Sequence, residues 1–261
     1  VFFRRSSKNA AAQNGDIAYD LHDENATRGD YWLNEMQPVA AFQPYMVAQG
    51  NHEAIYDGLN YRKRFSMPNH EATHNLWYSF DFGNAHFVAY TSEAYFEMLD
   101  HRYPELGRHS WGPYPEWAKA QREFIERDLA VAAARRDSGE GPQWLFVYGH
   151  RAMYCSDRGC DNTMRAPQHV QFQQDLEPLF FKAGVDIVFG AHRHTCEWHS
   201  NRIPVFNEAC LTRVRSRRRA ALPRVQRNRA QRNRRRGESV PRSARPGAHR
   251  RGRRRLPGAQ R

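Results

Sequence analysis

Three short apolar runs each break directly into a polar loop carrying histidine, and this repetition constrains the fold more than any other feature of the chain. Residues 44–48 run into Gly50-Asn51-His52-Glu53, residues 144–148 into Gly149-His150-Arg151, and residues 185–189 into Gly190-Ala191-His192-Arg193-His194. A run of that length suits a buried β-strand, and the loop at a strand's carboxyl end is where α/β folds place their chemistry. Residues 77–82 and 85–90 flank Gly83-Asn84 and read as a hairpin. Helical patterning fits residues 116–135, with Trp117, Phe124, Ile125 and Leu129 on the buried side. It also fits residues 168–183, with Phe172, Leu176, Leu179 and Phe180 inward. The expected class is α/β, with His150, His192 and His194 aimed from strand ends.

The formal net charge of +12 misleads unless it is divided along the chain. Residues 213–261 hold 20 Arg and one acid, Glu238, whereas the rest holds 20 basic against 27 acidic residues. That last segment has no Phe, Trp or Tyr, so it cannot bury enough apolar surface to offset the entropy of ordering it. It is expected to be disordered. Binding of nucleic acid by this arm rests on charge alone, without aromatic rings for base stacking, and is disfavoured. A shifted reading frame or a misjoined exon accounts for it better. The organisation expected is an irregular segment over 1–14, a globular domain over 15–210 and an Arg-rich tail over 211–261. No run approaches the roughly 20 apolar residues that cross a bilayer, and the opening residues do not form a signal peptide. Four cysteines are too few for a disulfide framework.

The strand-end clusters are joined by a fourth, Gly15-Asp16-Ile17-Ala18-Tyr19. Together they supply a carboxylate, a phenol, an amide oxygen and several imidazoles, a mixed O/N set suited to borderline divalent metals or ferric iron. Each cluster has an ordinary reading by itself. A Gly-Asp pair is a turn, Gly-Asn-His-Glu a loop with a helix cap, and a lone histidine a surface or satisfied core residue. Their joint occurrence, each at a strand end, favours a metal site. Cys155 and Cys160, five apart in a glycine-containing loop, are either a local disulfide in an oxidising compartment or free thiols. Asn25-Ala26-Thr27 is an N-glycosylation sequon.

In these residues the chain resembles the purple acid phosphatases, within the calcineurin-like metallophosphoesterases. Gly15-Asp16-x-x-Tyr19, Gly50-Asn51-His52-Glu53, Val147-x-x-His150 and Ala191-His192-x-His194 look like four of that family's five metal-binding blocks. The stretches Asn60-Tyr61-x-x-Arg64-Phe65-Ser66-Met67-Pro68 and Gly149-His150-Arg151-Ala152-Met153-Tyr154-Cys155-Ser156 resemble the animal acid phosphatase type 7 branch. The resemblance implies a layered fold, two mixed β-sheets packed together and flanked by helices, here incomplete at both ends. It implies hydrolysis of small-molecule or protein phosphomonoesters at a dinuclear centre of Fe(III) and a divalent ion, Zn, Fe or Mn. Asp16 would bridge the two, Tyr19 and His194 would serve the ferric ion, and Asn51, His150 and His192 the divalent one. His52 would act on the leaving group. A secreted or lysosome-like location goes with the resemblance.

The pattern departs from the family in two places. Its first block, Asp-x-Gly on a strand before Asp16, is absent, and Thr195-Cys196-Glu197-Trp198 stands where Tyr-Glu-Arg is usual. A catalytically inactive fragment, a metallophosphodiesterase and a basic-tail nucleic-acid binder are the competing readings.

Overall fold

A computed structural model of the chain describes residues 2–5, 8–96, 114–156, 164–194, 198–199 and 205–207. The Arg-rich tail expected over 211–261 and Cys160 lie outside the described residues. Strands β1 (Phe2–Arg5), β2 (Lys8–Asn14) and β3 (Tyr45–Ala48) form a three-stranded sheet, β1 antiparallel and β3 parallel to β2. The second sheet contains β4 (Tyr78–Phe82), β5 (Ala85–Ala89), β6 (Trp144–Arg151), β7 (Ile187–Ala191), β8 (Trp198–His199) and β9 (Val205–Asn207). Its spatial order is β4-β5-β6-β7-β9-β8, with β5, β6, β7 and β9 parallel and an antiparallel strand at each edge. Both sheets are mixed, as expected.

The helices are α1 (Thr27–Ala40), α2 (Ile55–Arg64), α3 (His70–Thr73), α4 (Pro115–Asp137) and α5 (Pro167–Ala183). The last two match the periodic stretches, and both begin with proline at the first turn, where its missing N–H costs nothing. Gly184 closes α5 in the left-handed conformation. Helix α1 carries Pro38 inside it and leaves Tyr31 exposed, so its apolar stripe is too broken to read from the sequence.

Side-chain alternation places the larger sheet in the middle of the molecule. Val88 and Tyr90 following β5's inward register, with Leu145, Val147 and Val188, pack against Ile125 and Leu129 of α4 and Phe172, Leu176 and Phe180 of α5. The opposite face, with Phe87, Ala89 and Tyr148, packs against Ala12, Val47 and Ala48 of the smaller sheet. Side chains at i and i+2 thus serve one layer and those between serve the other.

The irregular segment expected over 1–14 is corrected here. Residues 8–14 are a strand, paired with β1 over residues 8–11 and in parallel register with β3 over residues 11–14, and Ala10 and Ala11 are buried. Alanine has poor β-propensity, but small side chains fit where a strand is covered on both faces, so packing overrides propensity. The stretch Asn60–Pro68 that carried part of the resemblance is architectural. Arg64 donates to Asp30 Oδ1 (2.5 Å) and the Ala26 carbonyl (2.7 Å), tying down the start of α1. Asn75 shapes the return of the chain, donating to the carbonyls of Arg62 and Phe65 and accepting from the Met67 N–H.

One polar pin joins the β4–β5 hairpin to α4. His86 Nδ1 lies 2.6 Å from Asp81 Oδ1, its cross-strand neighbour, and Nε2 lies 2.7 Å from Asp128 Oδ2 of α4. Ser79 donates to the other Asp128 oxygen and Arg135 to the other Asp81 oxygen. Two carboxylates call for two ring donors, so the geometry selects the imidazolium. Burial alone lowers the His86 pKa, but the two aspartates outweigh it and leave it raised. Burial raises the Asp81 carboxyl, and His86 and Arg135 outweigh that and hold it below its usual value.

A raised histidine pKa adds stability that is complete below the unfolded value of about 6.5 and is lost as pH rises through the folded value. The depressed Asp81 contributes in the opposite sense, fading only as pH falls through its own lowered pKa. The pin is therefore strongest in mildly acid solution. His86→Gln is expected to cost about 2 kcal/mol near pH 5.5, a charged hydrogen bond's worth, with the deficit shrinking by about pH 9. Denaturant unfolding of both proteins across that range measures it; a deficit that grows with pH would refute the assignment.

Candidate metal centre

Two parallel pairs of strands, β2 with β3 and β6 with β7, end at one place. β2 delivers Gly15 and Asp16, β3 delivers Gly50 and Asn51, β6 carries His150, and His192 follows β7. Close approach of these ends requires glycine at two of them. A Cβ on Gly15, whose φ is 80°, would lie 2.4 Å from His150 Nδ1. One on Gly50 would lie 2.5 Å from the Asp16 nitrogen and 2.6 Å from Asp16 Oδ1.

Glu53 holds the first two ends together. Its Oε2 accepts the N–H groups of Gly50 (2.8 Å) and Asp16 (2.9 Å), and its Oε1 accepts that of Ile17 (2.6 Å). The first bond is a helix-start cap within the short 3₁₀ turn Asn51–Glu53; the other two reach back 36 and 37 residues to the β2 loop. Burial, then the negative charge of Asp16, pushes the Glu53 carboxyl well up, against the three N–H groups that favour its charged form.

Four donor atoms converge above this brace. His150 Nε2 is 3.1 Å from Asp16 Oδ1, 2.9 Å from Asn51 Oδ1 and 3.1 Å from His192 Nδ1, and His192 Nδ1 is 2.7 Å from Asn51 Oδ1. His150 Nδ1 donates to the Asn14 carbonyl at 2.9 Å, which leaves Nε2 as a lone pair facing two acceptor oxygens. Lone pairs brought together in this way are repulsive unless a cation lies among them. The spacings match the edges of a coordination polyhedron with bonds of about 2.1 Å, which are about 3.0 Å for an octahedron. Burial, then the positive charge of Arg151, drives the His192 pKa down to about 3, so this imidazole stays neutral and keeps its lone pair. Among the described residues, Asp16, His150 and His192 are the group of acids, histidines and cysteines whose donor atoms are close enough to hold a metal. The residues fit a divalent ion.

Tyr19 and His194 lie together beside this group. The Tyr19 hydroxyl is 2.6 Å from His194 Nε2, and both are exposed. The two histidines of the His-x-His loop therefore go to different partners, His192 turning inward with φ at 69°. His52 packs at a tilt against Tyr19 with ring centroids 4.4 Å apart, and its Nδ1 is 2.8 Å from Oδ1 of the buried Asp20. Its own N–H points to Asp16 Oδ1 at 3.4 Å.

Asp20, Glu53, Glu93 and Arg151 were not singled out from the sequence. Only Glu53 carried a local signal, the three-residue spacing from Gly50 that marks a helix cap. Cys155 is in a disulfide. Asn25 is exposed in the turn before α1.

Glu53→Gln is expected to lower stability by about 3 kcal/mol, because an amide NH₂ must then face at least one of three backbone donors. The metal affinity of the same variant should fall with it. Thermal unfolding and metal titration of one preparation check both; a fully stable variant would mean that the brace is dispensable.

The description "calcineurin-like phosphoesterase" fits residues 5–196. The chain is similar to acid phosphatase type 7 of Homo sapiens, 38% identical over 202 residues, and of Danio rerio, 36% identical over 203. Each alignment covers 74% of this chain and 42% of the relative, so the chain spans about two-fifths of the length of these proteins. Among solved structures, a purple acid phosphatase from yellow lupin (Lupinus luteus) seeds superposes with a TM-score of 0.53 at 22% identity, over 76% of this chain and 36% of that one. At that identity the likeness is one of fold.

Proposed function

The chain belongs to the calcineurin-like phosphoesterase family, and from that premise we propose that it carries the metal centre of a purple-type acid phosphatase hydrolysing phosphate monoesters. The observation that carries this reading is the convergence of Asp16, Asn51, His150 and His192 at the ends of four strands. These four would hold the divalent ion, Zn, Fe or Mn. Tyr19 and His194, together with Asp16, would hold Fe(III), for which a phenolate oxygen is a suitable hard donor. When bound, the metals supply Lewis acidity to the phosphoryl oxygens and lower the pKa of a water.

The chain's own residues do the rest. His150 is fixed in one tautomer by the Asn14 carbonyl, and His192 is kept neutral by burial. His52, held through Nδ1 by Asp20, acts on the departing alcohol through its other ring nitrogen, Nε2. The substrate is a phosphomonoester, small or protein-borne. A secreted or lysosome-like location and a glycan on Asn25 go with the same reading. No helix among the described residues is long and apolar enough to cross a membrane.

A second reading, a catalytically inactive relative, is favoured by one observation. Tyr19 and His194 bond to each other, and His194 does not join the group formed by Asp16, His150 and His192. Metal analysis separates the two. An active phosphatase is expected to hold two ions per chain including iron, and a chain that binds a single divalent ion supports the second reading. His150→Ala and His192→Ala should each abolish divalent binding, whereas His52→Ala should retain the ions and slow hydrolysis of p-nitrophenyl phosphate about 100-fold or more. Unchanged metal stoichiometry in both ligand variants would sink the assignment. An iron-free protein that prefers bis-p-nitrophenyl phosphate would move it to the phosphodiesterases.

A further inference from the structure

Next to the donor group lies a charge that should oppose cation binding. Arg151 directly follows His150 at the end of β6, and its side chain is mostly buried. A guanidinium cannot lose its proton, so it presents a fixed positive charge in low dielectric one residue from a metal ligand.

That charge is met by Glu93. Arg151 Nε lies 2.9 and 3.0 Å from the two Glu93 oxygens, and its Nη2 donates to Oε2 at 2.9 Å. Phe96 covers the guanidinium, 4.2 Å from the ring centroid. Glu93 is fully buried and held from several sides. Ser92 donates to its Oε1 while accepting the Arg151 N–H. The Glu93 N–H donates to Thr91 Oγ1, which donates in turn to Gln49 beside Gly50. Gln121 of α4 exchanges two hydrogen bonds with the Thr91 backbone. A fully buried carboxylate persists only when paired, and this one has its pair where the metal site needs a positive charge cancelled.

We propose that Glu93 is the charge-compensating, positioning residue of the metal centre, neutralising Arg151 so that His150 and His192 can accept a cation. It acts through its pair with Arg151. The inference rests on the metal-centre reading above and adds to it a residue that none of the metal-binding blocks contains.

The test uses the full chain and Zn²⁺, with a chromophoric chelator as competitor and thermal unfolding of the metal-free protein alongside. Glu93→Gln keeps the side chain's shape and leaves the guanidinium uncompensated. Its Zn²⁺ affinity is expected to fall 10- to 100-fold, the range found for outer partners of metal ligands. Removing both charges in Glu93→Gln/Arg151→Gln should bring the affinity back to within a few-fold of the original. A purely structural role predicts no such recovery, so a double variant as weak as the single one overturns the proposal. Unchanged affinity in Glu93→Gln overturns it as well. If the single variant does not fold, the double variant decides, since charge compensation requires it to bind Zn²⁺ nearly normally. Failure of the unsubstituted chain to bind Zn²⁺ overturns the metal-centre reading itself, a result distinct from the others.

Discussion

Everything at the strand ends depends on one buried carboxylate that accepts three backbone N–H groups from two loops. Glu53 is 2% exposed and joins the Gly50 turn to the Asp16–Ile17 turn, which are separated by more than 30 residues. Without it, the facing N–H groups of Gly50, Asp16 and Ile17 would be buried donors pointing at one another, each costing about 1–3 kcal/mol. The close approach of Gly15 to Gly50 and His150 is possible because neither glycine has a side chain to stand in the way. The position of Asp16 relative to Asn51 is therefore a backbone property, and the donor geometry follows from it.

The second constraint is the distance between the sheets. Asp16 and Asn51 come from the smaller sheet, His150 and His192 from the larger, so the site exists only if the layers keep a fixed separation. Buried hydroxyls set it. Tyr78 of β4 reaches across to donate to the Val47 carbonyl of β3 at 2.8 Å, and Tyr148 of β6 lies 2.7 Å from the Tyr78 hydroxyl. Burial pushes all three tyrosines that meet there, Tyr61, Tyr78 and Tyr148, above their ordinary pKa, so they remain hydroxyl donors. Aromatic rings fill the space between sheets, and their polar ends fix the register in which it is filled.

How much of this could be read from the sequence depends on whether the signal is local. The strands leading to Gly50, Gly149 and Gly190 were legible because an apolar run meeting a polar glycine loop is a local pattern, although β6 and β7 run on through their glycines to Arg151 and Ala191, which puts His150 inside the strand and not in a loop. Helices α4 and α5 were legible for the same reason, as their periodicity runs for several turns. β2 was not, since Ala10, Ala11 and Ala12 carry no β-branched or aromatic side chain and owe their strand to parallel pairing with β3. The supports of the site were hidden for a different reason. Glu93 and Arg151 are 58 residues apart, and Asp16 and Glu53 are 37 apart. No window of sequence contains either pair. His52 and Asp20 are 32 apart, and neither position alone suggests the other.

The backbone at the site is as unusual as its charges. Asp16, Ala18, Tyr19, Asp20 and His192 all have positive φ, a conformation that costs a non-glycine residue of order 1–3 kcal/mol and persists only where the surroundings over-determine it. Four of these five lie within one five-residue loop, the loop that Glu53 holds through the Asp16 and Ile17 N–H groups. Strain of this kind could not be maintained by the donor side chains, which repel one another as lone pairs. It is maintained by the carboxylate beneath and by the packed sheets on either side, contacts made entirely by the chain's own groups. Such a site loses little further entropy on binding, so the charge of the ion goes into relieving repulsion among oriented donors rather than into ordering a loop.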